Sequence, residues 1–357
     1  MTEKRYRIAS IPGDGIGKEV VPAAQEVMEA VGARFSFAWE WTPFDWSCEL
    51  YASSGSMTGG RSIDELASFD AIFLGAVGYP GVQDHVSLWG LLIPIRRQFQ
   101  QYVNLRPVRL LKGVRTPLAD RQPDDIDFVI VRENNEGEYS EIGGRLYEGT
   151  PAELAIQQSV CTRQGVDRVL RYAFELARTR PAKHLTSATK SNGIIHTMPY
   201  WDERFAAVAS EFPDVRTDQY HIDILTAHLV QHPDWFDVIV ASNLFGDILS
   251  DLGPAIVGSI GLAPGANLNP ERIGPSMFEP VHGSAPDIAG KGVAHPVAQI
   301  LTGAMMLEHL GETAAARAVE IAVEEVLGSG SPRTADLGGA SKTADMTKGV
   351  IAALGSA

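Results

Sequence analysis

The sequence is poor in cysteine and has no long apolar run. Cys48 and Cys161 are the only two cysteines in 357 residues, too few for a disulfide framework and, on their own, for a metal site. No stretch approaches the roughly 18 apolar residues that a membrane-spanning helix needs. The first residues, 1–7, contain no apolar signal segment. We therefore expect a cytoplasmic protein that does not bind a membrane.

Positive charge is also scarce. The chain has 30 lysines and arginines against 44 aspartates and glutamates, which gives a net charge of −14. Such a balance argues against a nucleic acid partner, because affinity for nucleic acids depends on neutralising phosphates with cationic side chains. An anionic small ligand would have to be bound by a local group of arginines.

The usual phosphate-binding motifs are missing as well. An apolar strand at 6–11 runs into a glycine-rich turn at 12–17, and a helix with an apolar face follows. Gly13, Gly15 and Gly17 do not match G-x-G-x-x-G, since position 18 is a lysine, and no G-x-x-x-x-G-K-[ST] motif occurs. The sequence therefore predicts an α/β protein without the usual Rossmann fingerprint.

The length and the order of apolar segments predict two domains or one large α/β unit. Short buried strands are predicted at 6–11, 71–77, 128–131 and 238–241, and helices at about 165–180, 296–310 and 313–327. The polar, glycine-containing stretch 143–158 is predicted to project as an arm. The long polar loop 278–296 is typical of a functional segment.

Two carboxylates follow the strand at 238–241. If residues 244–252 are helical, Asp247 and Asp251 share a face, while Ile248, Leu249 and Leu252 can turn toward the core. Ser242 and Asn243 offer the turn and the N-cap. A charged outer face is the simplest interpretation, but ligands of open α/β sheets bind beyond the carboxyl ends of strands. Mg²⁺ or Mn²⁺ is commonly held by such carboxylates.

Three arginines fall at or near the predicted ends of elements. A single arginine is more often a solvated surface charge than a ligand. Arg96, Arg106 and Arg132 together, in an acidic protein, make a carboxylate clamp a serious alternative, since arginine binds carboxylates bidentately. Tyr139 alone would be an ordinary tyrosine. Lys190, set between small residues, is either exposed or partly buried, where it could serve as a general base.

Six motifs spread along nearly the whole chain resemble the β-decarboxylating dehydrogenases, the family of isopropylmalate, isocitrate, D-malate and tartrate dehydrogenases. They are PGDGIGKE at 12–19, NLRP at 104–107, VREN at 131–134 with Tyr139, TKSN at 189–192, NLFGDILSD at 243–251 and HGSAPD at 282–287. Within the family, DHVSLWG at 84–90, Arg96-Arg97 and QYVNLR at 101–106 are most similar to the tartrate and D-malate branch.

The resemblance implies an isopropylmalate dehydrogenase-like α/β fold, with a large, mostly parallel sheet flanked by helices and two domains. The first domain would be discontinuous, formed by residues 1–102 and 254–357, and would bind the cofactor. Residues 103–253 would form the substrate, metal and dimerisation domain, with the arm at about 137–158. The protein would be a homodimer with shared active sites, to which the partner donates Lys190 and Asp223.

The resemblance also assigns roles to single residues. Substrate would be bound by Arg96, Arg106, Arg132, Ser87 and Trp89. The divalent metal, Mg²⁺ or Mn²⁺, would be held by Asp223, Asp247 and Asp251, and Lys190 and Tyr139 would transfer protons. NAD would be bound by Glu279, His282, Gly283, Ser284, Ala285, Asp287, Ile288 and His295. A monovalent cation such as K⁺ is a further cofactor compatible with the family.

Two of the cofactor positions affect specificity. A carboxylate at Asp287 can accept hydrogen bonds from the ribose hydroxyls of NAD and would repel the 2′-phosphate of NADP. His295 departs from the family, in which an asparagine typically stands beside the adenine, and we expect this change to affect affinity.

The expected reaction is the oxidation of a small 2-hydroxy dicarboxylate, D-malate or a tartrate, by NAD, with decarboxylation of D-malate to pyruvate and CO₂. The bulk of Trp89 disfavours substrates with a large C3 substituent, although Leu92 and Ile93 do not exclude an alkyl group by polarity. Activity on 3-isopropylmalate or another 3-alkylmalate is therefore the alternative. A non-catalytic regulatory homologue or metabolite sensor is a remote one, because the acid and base residues are all present.

Overall fold

The computed structural model describes residues 4–356, and most of its strands form one sheet. The strands are β1 Lys4–Gly13, β2 Phe37–Pro43, β3 Ala71–Ala76, β4 Val103–Arg109, β5 Asp127–Glu133, β6 Gly143–Leu146, β7 Leu154–Gln157, β8 His184–Thr189, β9 Arg216–His221, β10 Val238–Ala241, β11 Ala266–Leu268 and β12 Ser276–Phe278. The helices are α1 Gly17–Phe35, α2 Cys48–Ser54, α3 Asp84–Ser87, α4 Ile93–Gln98, α5 Arg163–Thr179, α6 Thr197–Ala209, α7 Ile222–Gln231, α8 Asn243–Val257, α9 Val297–Leu310, α10 Thr313–Ser329 and α11 Thr343–Ser356.

Ten strands form the main sheet, in the order β2-β1-β3-β12-β11-β4-β5-β10-β8-β9. Within residues 4–356, six of its nine neighbouring pairs are parallel, and the antiparallel pairs all involve β4 or β11 at the centre. The expected large, mostly parallel sheet flanked by helices is thus confirmed. β6 and β7 form a separate two-stranded ribbon at 143–157, within the segment predicted to project as an arm.

The centre of the sheet is apolar because its strands are covered on both faces. All four residues of β10 are buried, as expected for an interior strand of a parallel sheet. β10 lies between β5 and β8 and runs parallel to both, so the carboxyl ends of the three strands lie at one edge. The residues at this edge are Arg132 at the end of β5, Lys190 after β8 and Asn243 after β10.

The helix after β10 differs from the prediction in two details. Ser242 occupies the N-cap position of α8, as predicted, but its side chain caps no backbone group, and the Asn243 side chain bonds Arg132 and the Glu136 carbonyl rather than the helix. Leu249 is buried and Leu252 partly buried as predicted, but Ile248 is 47% exposed and lies on the outer face. The periodicity of the sequence could not separate an apolar residue facing the core from one facing outward.

The segment 84–98 is helical and contains a wider turn. α3 and α4 are joined by a π-helical turn, Leu88–Leu92, in which backbone hydrogen bonds connect residues five apart. Such turns are often found at functional sites. This one carries Trp89.

Candidate active site

The three arginines predicted to bind carboxylates are all buried and lie together. Arg96 on α4, Arg106 within β4 and Arg132 at the end of β5 are 6%, 7% and 5% exposed. The charge of Arg96 lowers the pKa of both Arg106 and Arg132, and the charge of Arg132 lowers that of Arg106, because the three guanidinium groups lie near one another. Burial lowers the pKa of Arg106 to about 10, so it remains a cation at neutral pH. The sequence suggested that Arg106 lies near the end of an element, but it lies within β4.

One buried carboxylate, Glu279, partly neutralises this group. Glu279 accepts a hydrogen bond from Arg96 Nη2 at 2.8 Å and lies 3.8 Å from Arg106 Nη2. Burial alone would raise the pKa of Glu279, but the two arginines outweigh it and hold the pKa below its usual value. The sequence assigned Glu279 to the cofactor. The structure places its side chain against the arginines.

The arginine group is still short of acceptors. Arg96 Nε and Arg106 Nη1 are buried and have no hydrogen bond partner within residues 4–356. An unpaired buried donor on a charged group is costly. Donors of this kind suit a dicarboxylate, which supplies several oxygens and the negative charge that a single glutamate cannot provide.

Arg132 connects the arginines to the predicted metal and proton-transfer residues. Its Nε and Nη2 donate to Asn243 Oδ1 at 3.0 and 2.7 Å, and its Nη1 is bonded to Asp247. Gly246 makes this approach possible, since a Cβ there would lie 2.5 Å from Arg132 Cβ. Asp247 also accepts a 2.6 Å hydrogen bond from the Tyr139 hydroxyl.

The environment of Tyr139 keeps it protonated. Burial and the hydrogen bond to Asp247 together raise the pKa of Tyr139 to about 12. A phenol with such a pKa holds its proton at neutral pH and can release it only to a strong base, such as a carbanion or enolate.

Asp247 and Asp251 share one face of α8, as the i, i+4 spacing predicts. Partial burial and the charge of Asp247 raise the pKa of Asp251, as expected for two carboxylates pointing to the same space. This donor set suits a hard divalent cation, which would replace the repulsion by attraction. Among residues 4–356, however, no group of three His, Cys, Asp or Glu side chains could hold a metal ion. One chain therefore does not bring Asp223 to the pair.

Asp223 lies with Lys190 instead. Lys190 Nζ donates to Asp223 Oδ1 at 2.8 Å, and this hydrogen bond lowers the pKa of the carboxyl group. The Lys190 side chain is 29% exposed and the Asp223 side chain 66% exposed. Both are accessible at the surface of the chain.

The predicted substrate residues of the 84–98 segment take different positions. Ser87 donates its hydroxyl to the Asp84 carbonyl at 2.9 Å, a contact within its own helix. Trp89 lies on the π-helical turn against the guanidinium of Arg97, whose Cζ is 5.2 Å from the ring centre. Its neighbours Leu88 and Ile93 line a cavity of about 10 Å³ together with Arg96, Arg97, Arg132 and Tyr139.

A second cavity, of about 480 Å³, lies next to the loop predicted to bind the cofactor. Five of the eight predicted cofactor residues line it: His282, Gly283, Ala285, Ile288 and His295. Ser284 instead accepts the Ile16 N–H at 2.8 Å through its carbonyl and fixes the glycine-rich turn. Asp287 is exposed on the same loop. Its carbonyl accepts a hydrogen bond from Lys291 at 2.7 Å.

Sequence reasoning missed several residues of the two sites. Asn243 orients Arg132, Asn104 accepts from Arg106 Nε at 2.8 Å, and Asp336 lines the larger cavity. Asn104 begins the motif NLRP and Asn243 begins NLFGDILSD, so a polar side chain next to a buried strand could have indicated both as site residues. No local signal marks Asp336.

Comparison with known proteins agrees with this geometry. Residues 7–350 match the family model described as isocitrate/isopropylmalate dehydrogenase. The chain is 58% identical over 347 residues to the decarboxylating D-malate dehydrogenase of Escherichia coli strain K12, covering 95% of this chain and 96% of that one. It is 54% identical over 351 residues to the tartrate dehydrogenase/decarboxylase of Pseudomonas putida, covering 96% of each.

A solved structure shows the same architecture. The isocitrate dehydrogenase of Methylococcus capsulatus superposes with a TM-score of 0.87 at 36% identity, over 98% of this chain and 99% of that one. Within residues 4–356, no helix is both long and apolar enough to cross a membrane. From the family model, the relatives and the fold together, we conclude that this chain belongs to the isocitrate/isopropylmalate dehydrogenase family.

Proposed function

We propose that the protein is an NAD-dependent, divalent metal-dependent dehydrogenase of small 2-hydroxy dicarboxylates, D-malate and tartrate, which converts D-malate to pyruvate and CO₂. The observation that carries this proposal is the group of three buried arginines beside Tyr139 and Asp247. The names of the two similar proteins, D-malate dehydrogenase and tartrate dehydrogenase/decarboxylase, point to the same substrates.

The arginines bind and orient the substrate. Arg96 and Arg106 offer unpaired buried donors to a carboxylate, and Arg132 is held in place by Asn243. Fixing both carboxylates aligns the C2 hydroxyl and the C3 carbon with the proton-transfer residues. Arg106 remains charged because burial lowers its pKa only to about 10. Burial also lowers the pKa of Arg132, and the charge of Asp247 opposes that effect.

The proton-transfer residues act at opposite ends of the reaction. Lys190 removes the proton of the C2 hydroxyl. NAD, held at the cavity lined by His282, Gly283 and His295, would supply the acceptor for the C2 hydride. When the C3–C4 bond of the 2-oxo acid breaks, C4 leaves as CO₂ and its bonding electrons remain as an enolate, to which Tyr139 delivers a proton at C3 to give pyruvate. A divalent cation held by Asp247, Asp251 and Asp223 of the partner subunit would supply Lewis acid stabilisation of the charge that develops on the C2 oxygen.

The separation of Lys190 and Asp223 from the other residues leads us to propose a homodimer with shared sites. Large apolar side chains are exposed near these residues and on the β6–β7 ribbon: Ile142, Leu146, Tyr147, Leu154, Ile156, Ile194, Ile195, Ile224, Leu244 and Ile248. Exposed apolar surface of this extent typically marks a protein interface. The exposure of Ile248, unexpected from the sequence, is explained by such a contact.

The division into domains is part of the same proposal. Residues 1–102 and 254–357 would carry the NAD site, and residues 103–253 the metal and dimer contacts. In support, β12 and β11 from late in the chain stand between β3 and β4 of the sheet, and α11 packs on α1.

The test of the proposed substrate is a comparison of kcat/KM for D-malate, L-tartrate, meso-tartrate, 3-isopropylmalate and isocitrate with Mn²⁺ and NAD. We expect D-malate or a tartrate to be best. The margin over 3-isopropylmalate is expected to be about 10-fold to 200-fold, because one apolar contact discriminates by about 1–3 kcal/mol. Leu88 and Ile93 line the small cavity, so some 3-alkylmalate activity is expected. A clear preference for 3-isopropylmalate or isocitrate would refute the substrate assignment.

For the cofactor, we expect kcat/KM with NAD to exceed that with NADP by at least about tenfold, because a carboxylate near the ribose repels a 2′-phosphate. Asp287 is exposed on the loop beside the larger cavity, and Asp336 lines that cavity. An Asp287→Asn variant should lower the ratio of kcat/KM with NAD to kcat/KM with NADP, because kcat/KM with NADP rises when the carboxylate is removed. The mutation Asp64→Asn, on a surface segment that does not line this cavity, serves as the control. Equal values for the two cofactors in the unmodified protein would contradict the prediction.

A further inference from the structure

Arg97 is the one arginine of the small cavity that the proposed reaction leaves without a role. It follows Arg96 on α4, and its side chain is 35% exposed. Its Nη2 donates to the carbonyl oxygen of Tyr139 at 3.0 Å, and its guanidinium lies over the Trp89 ring at 5.2 Å. Arg97 thus contacts Tyr139, which the proposed reaction uses, and Trp89, which the sequence predicted to bind substrate.

The π-helical turn is what brings Trp89 to Arg97. The two residues are eight positions apart, and in a regular α-helix the second would be rotated by about 80° from the first after two turns. A π-helical turn takes up about one extra residue, so the two side chains return to the same face. Helical side chains also point back toward the N-terminus, which directs Arg97 toward Trp89.

The contact to Tyr139 is a charge-assisted hydrogen bond to a main-chain carbonyl, and bonds of this class are stronger than neutral ones. Tyr139 is also restrained at its other end, where its hydroxyl donates to Asp247 at 2.6 Å and its ring faces Arg132 at 5.4 Å. A backbone held by Arg97 and a hydroxyl held by Asp247 together fix the direction of the phenol.

We propose that Arg97 is a positioning residue that clamps the Tyr139 backbone to the helical segment carrying Trp89 and so sets the position of the Tyr139 hydroxyl. This inference rests on the proposed function, because it assigns to Tyr139 the protonation of C3. The clamp also joins the segment whose Leu88 and Ile93 line the small cavity to the residue that protonates C3.

The test compares Arg97→Met and Arg97→Lys with the unmodified enzyme, using D-malate, Mn²⁺ and NAD. Arg97→Met should lower kcat about tenfold with less than a threefold change in KM, because a small misplacement of a catalytic group slows the chemistry more than binding. Arg97→Lys should recover part of the loss, since an ammonium group can donate to the carbonyl but cannot stack on the indole. Glu141→Gln is the control. The Glu141 carboxylate lies 3.7 Å from Arg97 Nη1, and its side chain is 79% exposed, so this variant should behave like the unmodified enzyme.

A Tyr139→Phe background separates positioning from a general structural role. If Arg97 acts through the Tyr139 hydroxyl, Arg97→Met should change kcat by less than about twofold once that hydroxyl is gone, since effects of residues acting as a unit are not additive. An equal tenfold loss in both backgrounds would overturn the proposal, and so would a normal kcat for Arg97→Met. Should Arg97→Met not fold, Arg97→Lys gives the same comparison with a smaller loss.

Hydrogen exchange of the segment 136–142 gives a readout that needs no substrate. Without the clamp, the backbone around Tyr139 should exchange faster in Arg97→Met than in Glu141→Gln or the unmodified protein. Unchanged exchange would overturn the clamp. If the unmodified enzyme oxidised no 2-hydroxy dicarboxylate, the proposed function would fail, while the exchange result would still decide whether Arg97 holds Tyr139.

Discussion

An Asp247→Asn variant is expected to lose about 10²-fold or more of its kcat/KM, with a raised Mn²⁺ requirement, because metal stabilisation of a developing oxyanion is worth several kcal/mol. Asparagine keeps the shape of the side chain but lacks the charge that would hold a divalent cation. It also leaves Arg132 without its ionic partner. Activity measured against Mn²⁺ concentration, together with direct Mn²⁺ binding, checks the prediction.

Asp247→Asn removes both a predicted metal ligand and the ion pair with Arg132. Asp251→Asn is the matched control, because it removes a predicted metal ligand without removing that ion pair. Asp251 is exposed, and its pKa is raised by partial burial and by Asp247. Removing its charge should weaken Mn²⁺ binding as well, but without lowering the melting temperature. Asp247→Asn should lower it moderately, since the Asp247 side chain is 40% exposed and its pairing with Arg132 is partly screened. If both variants kept the normal Mn²⁺ dependence, neither residue would be a metal ligand.

The elements that the sequence predicted well are those determined by local patterns. The apolar run at 238–241 became a fully buried strand between two parallel neighbours, with a helix beginning directly after it. A short run of four apolar residues, three of them β-branched and followed by a turn, favours a buried strand over a helix. The same holds for the strand at 71–76, whose six residues are all buried.

What the sequence did not predict depends on contacts between distant segments. Glu279 lies on Arg96, 183 residues away, and no local pattern indicates such a pairing. Arg106 is buried inside β4, where alternation would have allowed either face. The π-helical turn at 88–92 depends on packing, with Gly90 against Met57, and its sequence has no feature that excludes an ordinary α-helix.

A Lys190→Met variant is expected to lose about 10²-fold to 10⁴-fold in kcat, the range typical of removing a general base. Methionine keeps the length and the apolar stem of the side chain without the amine. Lys190 forms an ion pair with Asp223, but the Asp223 side chain is 66% exposed, so losing this pair should cost little stability. Initial rates from pH 6 to 9 check the prediction, and a normal kcat throughout that range would exclude Lys190 as the base.

The same variant tests whether the sites are shared between subunits. In a heterodimer of Lys190→Met and Asp247→Asn chains, a shared arrangement leaves one site with both residues intact, so random pairing should restore roughly a quarter of the unmodified activity. Pairing the unmodified chain with a chain carrying both changes is the matched control. Its unmodified homodimers alone retain about a quarter of the activity, and its heterodimers add nothing if the sites are shared, because every shared site then lacks one residue, but would raise the total to about half if each chain formed its own site. If each chain formed its own site, the outcomes would be reversed: the first heterodimer would be inactive and the second would keep one working site. The two mixtures differ only in how the same two changes are distributed, so protein folding and metal supply affect both alike.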